Sequence, residues 1–219
     1  MQKIMFDDKF GLTKAVIEGR KTMTRRVVKL PLIAGLDEIE MAEMETDWKC
    51  NYKAVFYAYD MEGKRKVCEV KPRYQVGEEV VIAQPYKDVI SYHASMWNPH
   101  SHDWMRKEPG WTNKMFAKGE YMLHSVRITN IKVERLQDIS EEDAMREGVF
   151  HYDKPPLHHE SDRFAPWPPF VKPYKHDMDN LKYKATARYA FAYLIDKVSG
   201  GGTWKGNPWV FVYEFELSD

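Results

Sequence analysis

Between Gly19 and Lys29 the chain carries Arg20, Lys21, Arg25, Arg26 and Lys29, hydroxyls at Thr22 and Thr24, and no acidic residue. Cationic side chains concentrated beside hydroxyl donors suit a phosphate or a polar, electron-rich heterocycle. The same residue types also protect an open sheet edge, where Lys and Arg discourage further strand pairing. Two histidine clusters, His100-x-His102-Asp103 and His158-His159-Glu160, have metal-ligating residue types. They lack the helical i, i+4 spacing and the cysteine partners of a zinc site, so they read as polar loop residues, and no metal or cofactor is expected. Trp97, Trp104 and Trp111 recur every seven residues, with Pro99, Pro109 and Gly110 interrupting any continuous helix. The rings are either a base-stacking platform or ordinary packing. Trp111 is the candidate contact, because Thr112, Asn113 and Lys114 add donors beside it. No Walker loop, GxGxxG or Ser-His-Asp signature is present.

The elements that would position the cationic cluster are legible from periodicity. A helix is expected from Asp7-Asp8 through Phe10, Leu12, Ala15 and Val16, stopping at Gly19. A second begins at Ser140, with Glu141 and Glu142 in its first turn and Asp143 at the capping-box position, and stops at Gly148. A third is expected from about Asp179 to Val198, burying Tyr189, Ala192 and Ile195, with Phe191 and Val198 as further candidates, and ending at the run Gly200–Gly202. Strands are expected at Glu78–Ala83, at Val126–Val133 and near the end of the sequence. In the middle one the apolar residues slip from even to odd positions near Thr129-Asn130, which predicts a bulge. In the last, Trp209, Phe211, Tyr213 and Phe215 share one face, and Val210, Val212, Glu214 and Glu216 the other. Scattered strands, few helices and no βαβ alternation favour an α+β fold with a small barrel. Gln84, directly after the first of these strands, is a further candidate ligand contact.

At 219 residues the chain is long enough for a real core, and 43% hydrophobic and 14% aromatic content is globular rather than disordered. Its zero formal net charge argues against a protein that coats DNA, so a local pocket is the more economical use of the basic cluster. No apolar run approaches a membrane span, and no signal-peptide pattern opens the sequence. The two cysteines, Cys50 and Cys68, form no CxxC and fit a reducing compartment. A cytoplasmic protein without membrane contact is therefore expected. Residues 31–70 and 150–178 read as insertions. The first holds an acidic, Met-rich stretch, expected as a helix or loop, then a Tyr-rich hairpin; the second is a proline-rich excursion. Their aromatic residues offer a surface for a protein partner.

Several motifs occur together in order: Gly19-Arg20-Lys21-Thr22-x-Thr24-x-Arg26; Pro72, then Gly77-Glu78-x-Val80; Leu136-Gln137-Asp138-Ile139-Ser140-Glu141-Glu142-Asp143-Ala144; and Asn207-Pro208-Trp209-Val210-Phe211-Val212-Tyr213-Glu214-Phe215. In this the chain resembles the ASCH-domain family, most of all its long, insertion-bearing prophage and phage members from Bacteroides-like bacteria. The resemblance implies one PUA-like domain over residues 1–219, a small β-barrel with flanking helices. It implies binding of RNA or a modified nucleoside, with Arg20, Thr22, Arg25 and Arg26 as ligand contacts.

One branch of that family hydrolyses the acetyl amide of N4-acetylcytidine with a lysine, a threonine and a glutamate. By the motifs these fall on Lys21, Thr24 and Glu147. Another branch is ribonuclease-like, and many long relatives would carry an acid where this chain has Gln84. The implied chemistry is coherent, since amide hydrolysis needs a nucleophile, a proton shuttle and a stabiliser of the oxyanion. Thr24 has the hydroxyl, and the like charges around Lys21 make its neutral amine more accessible. In a regular strand, however, Lys21 and Thr24 point to opposite faces. They converge only if Arg20–Thr22 belongs to the turn after Gly19, or if a bulge intervenes. Binding, catalysis in the same pocket, and a prophage accessory role in protein contact are the three functional expectations.

Overall fold

The computed structural model describes residues 1–31, 39–93, 103–151, 164–165 and 186–218. In chain order these form β1 (Lys3–Ile4), α1 (Leu12–Ile17), β2 (Met23–Val27), β3 (Met41–Thr46), β4 (Tyr52–Asp60), β5 (Gly63–Val70), β6 (Glu79–Ile82) and α2 (Tyr86–His93). There follow β7 (Ser125–Arg135), α3 (Glu141–Arg146), β8 (Phe150–His151), β9 (Phe164–Ala165), α4 (Ala187–Ser199), α5 (Thr203–Gly206) and β10 (Trp209–Ser218). One sheet has the order β1-β6-β7-β10-β2, parallel only between β1 and β6. A second is the antiparallel meander β3-β4-β5, and β8 pairs with β9.

The alternation along β10 decides the layering. Trp209, Phe211, Tyr213 and Phe215 enter a core with Ile4, Phe6, Leu12 and Val16, and with Phe56 and Cys68 of the meander. Val210 and Val212 enter a second core under α3 and α4, with Met23, Leu136, Ala144, Ala190 and Phe191. A strand buried on both faces is thus the middle of the molecule. The slip predicted near Thr129-Asn130 is a bulge: Glu214 faces Asn130 and Phe215 faces Ile128, so Thr129 is the extra residue.

The α+β class holds, but the closed barrel does not appear among the described residues. β1 and β2 are the open edges of the sheet. A side chain, not strand pairing, spans them: Arg26 Nη2 donates to Met5 O at 2.5 Å. Three other expectations need correction. Residues 41–70 form three strands, without the helix or loop expected before the hairpin, because Ala54, Phe56 and Cys68 find an apolar partner in the main sheet. α4 starts at Ala187, where the Thr186 side chain caps Tyr189 N–H, and not near Asp179. It buries Ala187, Ala190, Phe191, Leu194 and Ile195 at i, i+3, i+4 spacing, which turns Tyr189 to solvent. Trp104 and Trp111 belong to a satellite cluster around Tyr86 and Tyr121.

Trp97, both histidine clusters apart from Asp103, and nearly all of 150–178 lie outside the described residues. Among those described, no helix is long and apolar enough to cross a membrane, and no cluster of His, Cys, Asp or Glu is placed to hold a metal. Cys50 and Cys68 are free thiols.

Phe56 is fully buried and meets the Trp209 ring edge-on, with centroids 5.7 Å apart, so it joins the meander to the main sheet. Phe56→Ala should cost about 3–5 kcal/mol. Urea unfolding should show the loss as a lower midpoint at unchanged slope. A loss under about 1 kcal/mol would mean that the meander folds independently of β10.

Candidate functional site

The turn after α1 brings the predicted residues together. Gly19 takes φ +70°, and the N–H groups of both Arg20 and Lys21 donate to Ala15 O at 2.9 Å. Lys21 therefore precedes β2, and the odd spacing from Thr24 imposes no opposition of faces. Glu147 follows α3 as its C-cap, before Gly148 at φ +99°. A Cβ on Gly148 would meet Lys21 and Leu12 only at ordinary contact distance, about 3.5 Å. Glycine is required there by the left-handed turn.

Lys21 is 2% exposed and Glu147 4%. The Lys21 ammonium donates to Glu147 Oε2 at 2.6 Å, to Glu147 O at 2.7 Å and to Met23 O at 2.7 Å, which uses all three of its hydrogens. Arg25 reaches the other carboxylate oxygen, Glu147 Oε1, at 3.2 Å. It also donates to Glu134 Oε1 through Nε and Nη2, and to Asp143 Oδ2 at 3.0 Å. Lys132 and Arg146 complete the network on Asp143, and Arg146 continues to Glu214 at 2.6 Å. Four cations thus meet four carboxylates, and the network is neutral.

Burial pushes the Lys21 ammonium below its usual range, with Arg26 and Arg25 acting in the same direction and Glu147 against them. For Asp143 burial acts upward, but the hydrogen bonds from Lys132 and Arg25 outweigh it and hold the carboxyl below 3.8. The hydrogen bond from Arg146 likewise holds Glu214 below 4.5.

Lys21, Thr24 and Glu147 line one pocket of about 310 Å³. Its apolar lining is Met5, Phe6, Leu12 and Val27 together with Phe191, Leu194, Ile195 and Val198 of α4. A pocket beside an edge strand draws residues from both faces, which is why Thr24, Arg25 and Arg26 all border it. Thr24 is buried, and its hydroxyl makes no hydrogen bond among the described residues.

The remaining predicted contacts have other positions. Arg25 is bound to three carboxylates and has no free charge to offer a ligand. Arg20 pairs with Glu18 at 2.7 Å and borders a separate hollow beside Phe150. The Thr22 hydroxyl accepts from Arg146 Nε at 3.3 Å. Gln84 lies in a different hollow, near Asp8 and Asp88, with its buried Oε1 unbonded among the described residues. Trp111 is half-buried, with the Arg106 guanidinium 5.2 Å from its ring centroid. Only Arg26, among the cations of this pocket, lacks a carboxylate partner within the described residues. The basic cluster is therefore largely neutralised.

Sequence reasoning missed Phe6 as a wall and Glu134, Asp143 and Glu214 as partners. The signal for Glu214 was its place directly after Val210 and Val212 on one strand face, where a charge needs a cation. No protein-family model, curated protein or solved structure matches this chain.

Breaking the central pair should be costly. Glu147→Ala leaves Lys21 and Arg25 facing an empty site, and should destabilise by about 3–5 kcal/mol. Lys21→Met with Glu147→Leu should recover most of that loss in the same denaturation assay. Asp143 and Glu214 have depressed values in the folded state. Their stabilisation is complete above the unfolded values of 3.8 and 4.5 and is lost as pH falls through the lower folded ones. Thermal unfolding scanned from pH 6 to pH 2 should show that decline, and Glu214→Gln should flatten it.

Proposed function

We propose that this protein binds RNA or a modified nucleoside, one base entering the pocket between Phe6, α4 and β2, and that it is a long ASCH-type protein with a PUA-like fold. The observation that carries the binding reading is the pocket itself. Its volume lies at the lower end of small-molecule sites, and its apolar walls stand beside the polar groups of Lys21, Thr24, Arg25, Arg26 and Glu147. Phe6 and Phe191 offer ring surfaces, the Arg26 guanidinium lies 5.8 Å from the Phe6 centroid, and the Thr24 hydroxyl is available to a heterocycle. Arg26 bridging the two sheet edges supports the barrel-like curl, and the free thiols agree with a cytoplasmic setting.

The depressed Lys21 ammonium favours a second reading, hydrolysis of an acyl amide on a cytosine-like base. Lys21 passes a proton to Glu147 Oε2, 2.6 Å away, which frees its amine. Thr24 Oγ attacks the acyl carbon and gives its proton to Lys21. The C–N bond breaks, Glu147 protonates the leaving amine, and water cleaves the acyl-threonine ester. Arg26 is the cation for the developing oxyanion.

Cytidine or N4-acetylcytidine at millimolar concentration should raise the melting temperature by mass action. Val198→Trp, at a partly exposed position in the pocket lining, should abolish that rise without lowering the melting temperature of the free protein. A rise that survives the block places binding elsewhere. For the second reading, wild type should release cytidine from N4-acetylcytidine and Thr24→Val should not, while still binding it. Equal release by both removes the catalytic role.

A further inference from the structure

We propose that the hollow on the far side of Arg26 is a phosphate-binding groove, taking the phosphates of a nucleotide or oligonucleotide whose base occupies the neighbouring pocket. The proposal rests on the nucleoside reading above and narrows its ligand to a phosphorylated one. The hollow measures about 440 Å³ and lies between β1, β2, the segment after β5, and β10.

Its charge sets it apart. Lys3, Arg26, Lys29, Lys71 and Arg73 line it, and no carboxylate does. None of these five cations forms an ion pair among the described residues. Elsewhere pairing is frequent: Lys21, Arg25, Lys53, Lys64, Lys132 and Arg146 each meet a carboxylate within 3.5 Å. In a chain of zero net charge, five unpaired cations around one concavity concentrate the positive potential there.

The groove is also held in shape. Tyr213 Oη accepts the Arg73 backbone N–H at 2.9 Å, and Tyr74 Oη donates to Lys3 O at 2.9 Å. The Tyr74 and Tyr213 rings pack edge-on with centroids 5.3 Å apart. Lys3 spends hydrogen bonds on Met115 O and Ala117 O, carbonyls that leave its charge unneutralised. Lys29, Lys71 and Arg73 extend from this frame into solvent.

Geometry ties the two cavities together. Met5, Arg26 and Val27 line both. In a nucleotide the phosphates lie one sugar away from the base, and two cavities that share a wall reproduce that relation. The base pocket has a neutral ion network and apolar walls; the groove has the cations a phosphate needs and little else polar. A terminal phosphate on a mononucleotide and the diesters of a single strand are the two sources of this chemistry.

The test uses the full chain and four probes: cytidine, cytidine monophosphate, a labelled single-stranded tetracytidylate RNA, and pyrophosphate. Both phosphorylated cytidine ligands should bind more tightly than cytidine, with affinity falling as salt rises. Lys29→Ala with Lys71→Ala, at two exposed positions outside the base pocket, should leave cytidine affinity unchanged. It should shrink the logarithmic salt slope of the tetranucleotide by about 1.4, or about 0.7 for each lost contact. A larger slope for the tetranucleotide than for the monophosphate identifies strand diesters as the source; equal slopes identify the terminal phosphate. If cytidine binds and neither phosphate nor the double variant alters affinity or slope, the groove proposal falls and the base pocket stands. If pyrophosphate binds, is lost in the double variant, and no cytidine compound responds, the groove stands and the nucleoside reading falls. Stronger displacement of pyrophosphate by an oligoglutamate peptide than by the tetranucleotide would overturn the phosphate assignment.

Discussion

A single buried carboxylate shared by an ammonium and a guanidinium is the constraint on which the site depends. Glu147 holds Lys21 on one oxygen and Arg25 on the other, and neither cation has an alternative in water. Such a cluster adds little net stability over an apolar replacement, because desolvation offsets most of the attraction. What it imposes is position. The turn after α1, the start of β2 and the end of α3 must meet at hydrogen-bond distances, and Glu134 and Asp143 extend the requirement to β7 and the first turn of α3. Moving one of these elements breaks bonds in all the others.

That constraint also explains the division of labour among the basic residues. Those that look most available to a ligand in the sequence, Arg20 and Arg25, are occupied by carboxylates of their own chain. Beside the pocket, the cations without an ion pair among the described residues are Arg26 and, in the adjoining hollow, Lys3, Lys29, Lys71 and Arg73, residues scattered over the sequence and gathered by the fold. A count of positive residues in one stretch therefore locates the scaffold of the site better than its electrostatic surface.

Much of the framework was legible because it obeys period and capping rules. β10 alternates strictly, the β7 slip marks the Thr129 bulge, and the Ser140 hydroxyl caps α3 at Asp143 N–H. The convergence of Lys21 with Glu147 was legible only as an ordered pair of motifs, since no local pattern brings together residues so distant in the chain. What failed to show was tertiary in origin. The meander looked like an insertion with a helix or loop because its own pattern is half polar; Phe56 and Cys68 become core only when Trp209 and Phe211 cover them. The phase of α4 was only partly legible: Ile195 and the candidate Phe191 are buried, but Tyr189, large and aromatic, gives way to the stripe of Ala187, Ala190 and Leu194. The partners of Arg25 were hidden for the same reason, since cross-strand neighbours are set by register and not by spacing.

The strand order has a consequence for biosynthesis. β10 lies between β7 and β2 in the sheet but follows both in the chain. During translation β2 emerges early and has no strand to pair with until β10 leaves the ribosome. Through that interval the apolar faces that will cover β10 stay exposed, with the meander's inner side among them. Long-range closure of this kind is slow and open to wrong associations. The nascent chain thus carries this apolar surface uncovered until the strand that joins both cores has been made.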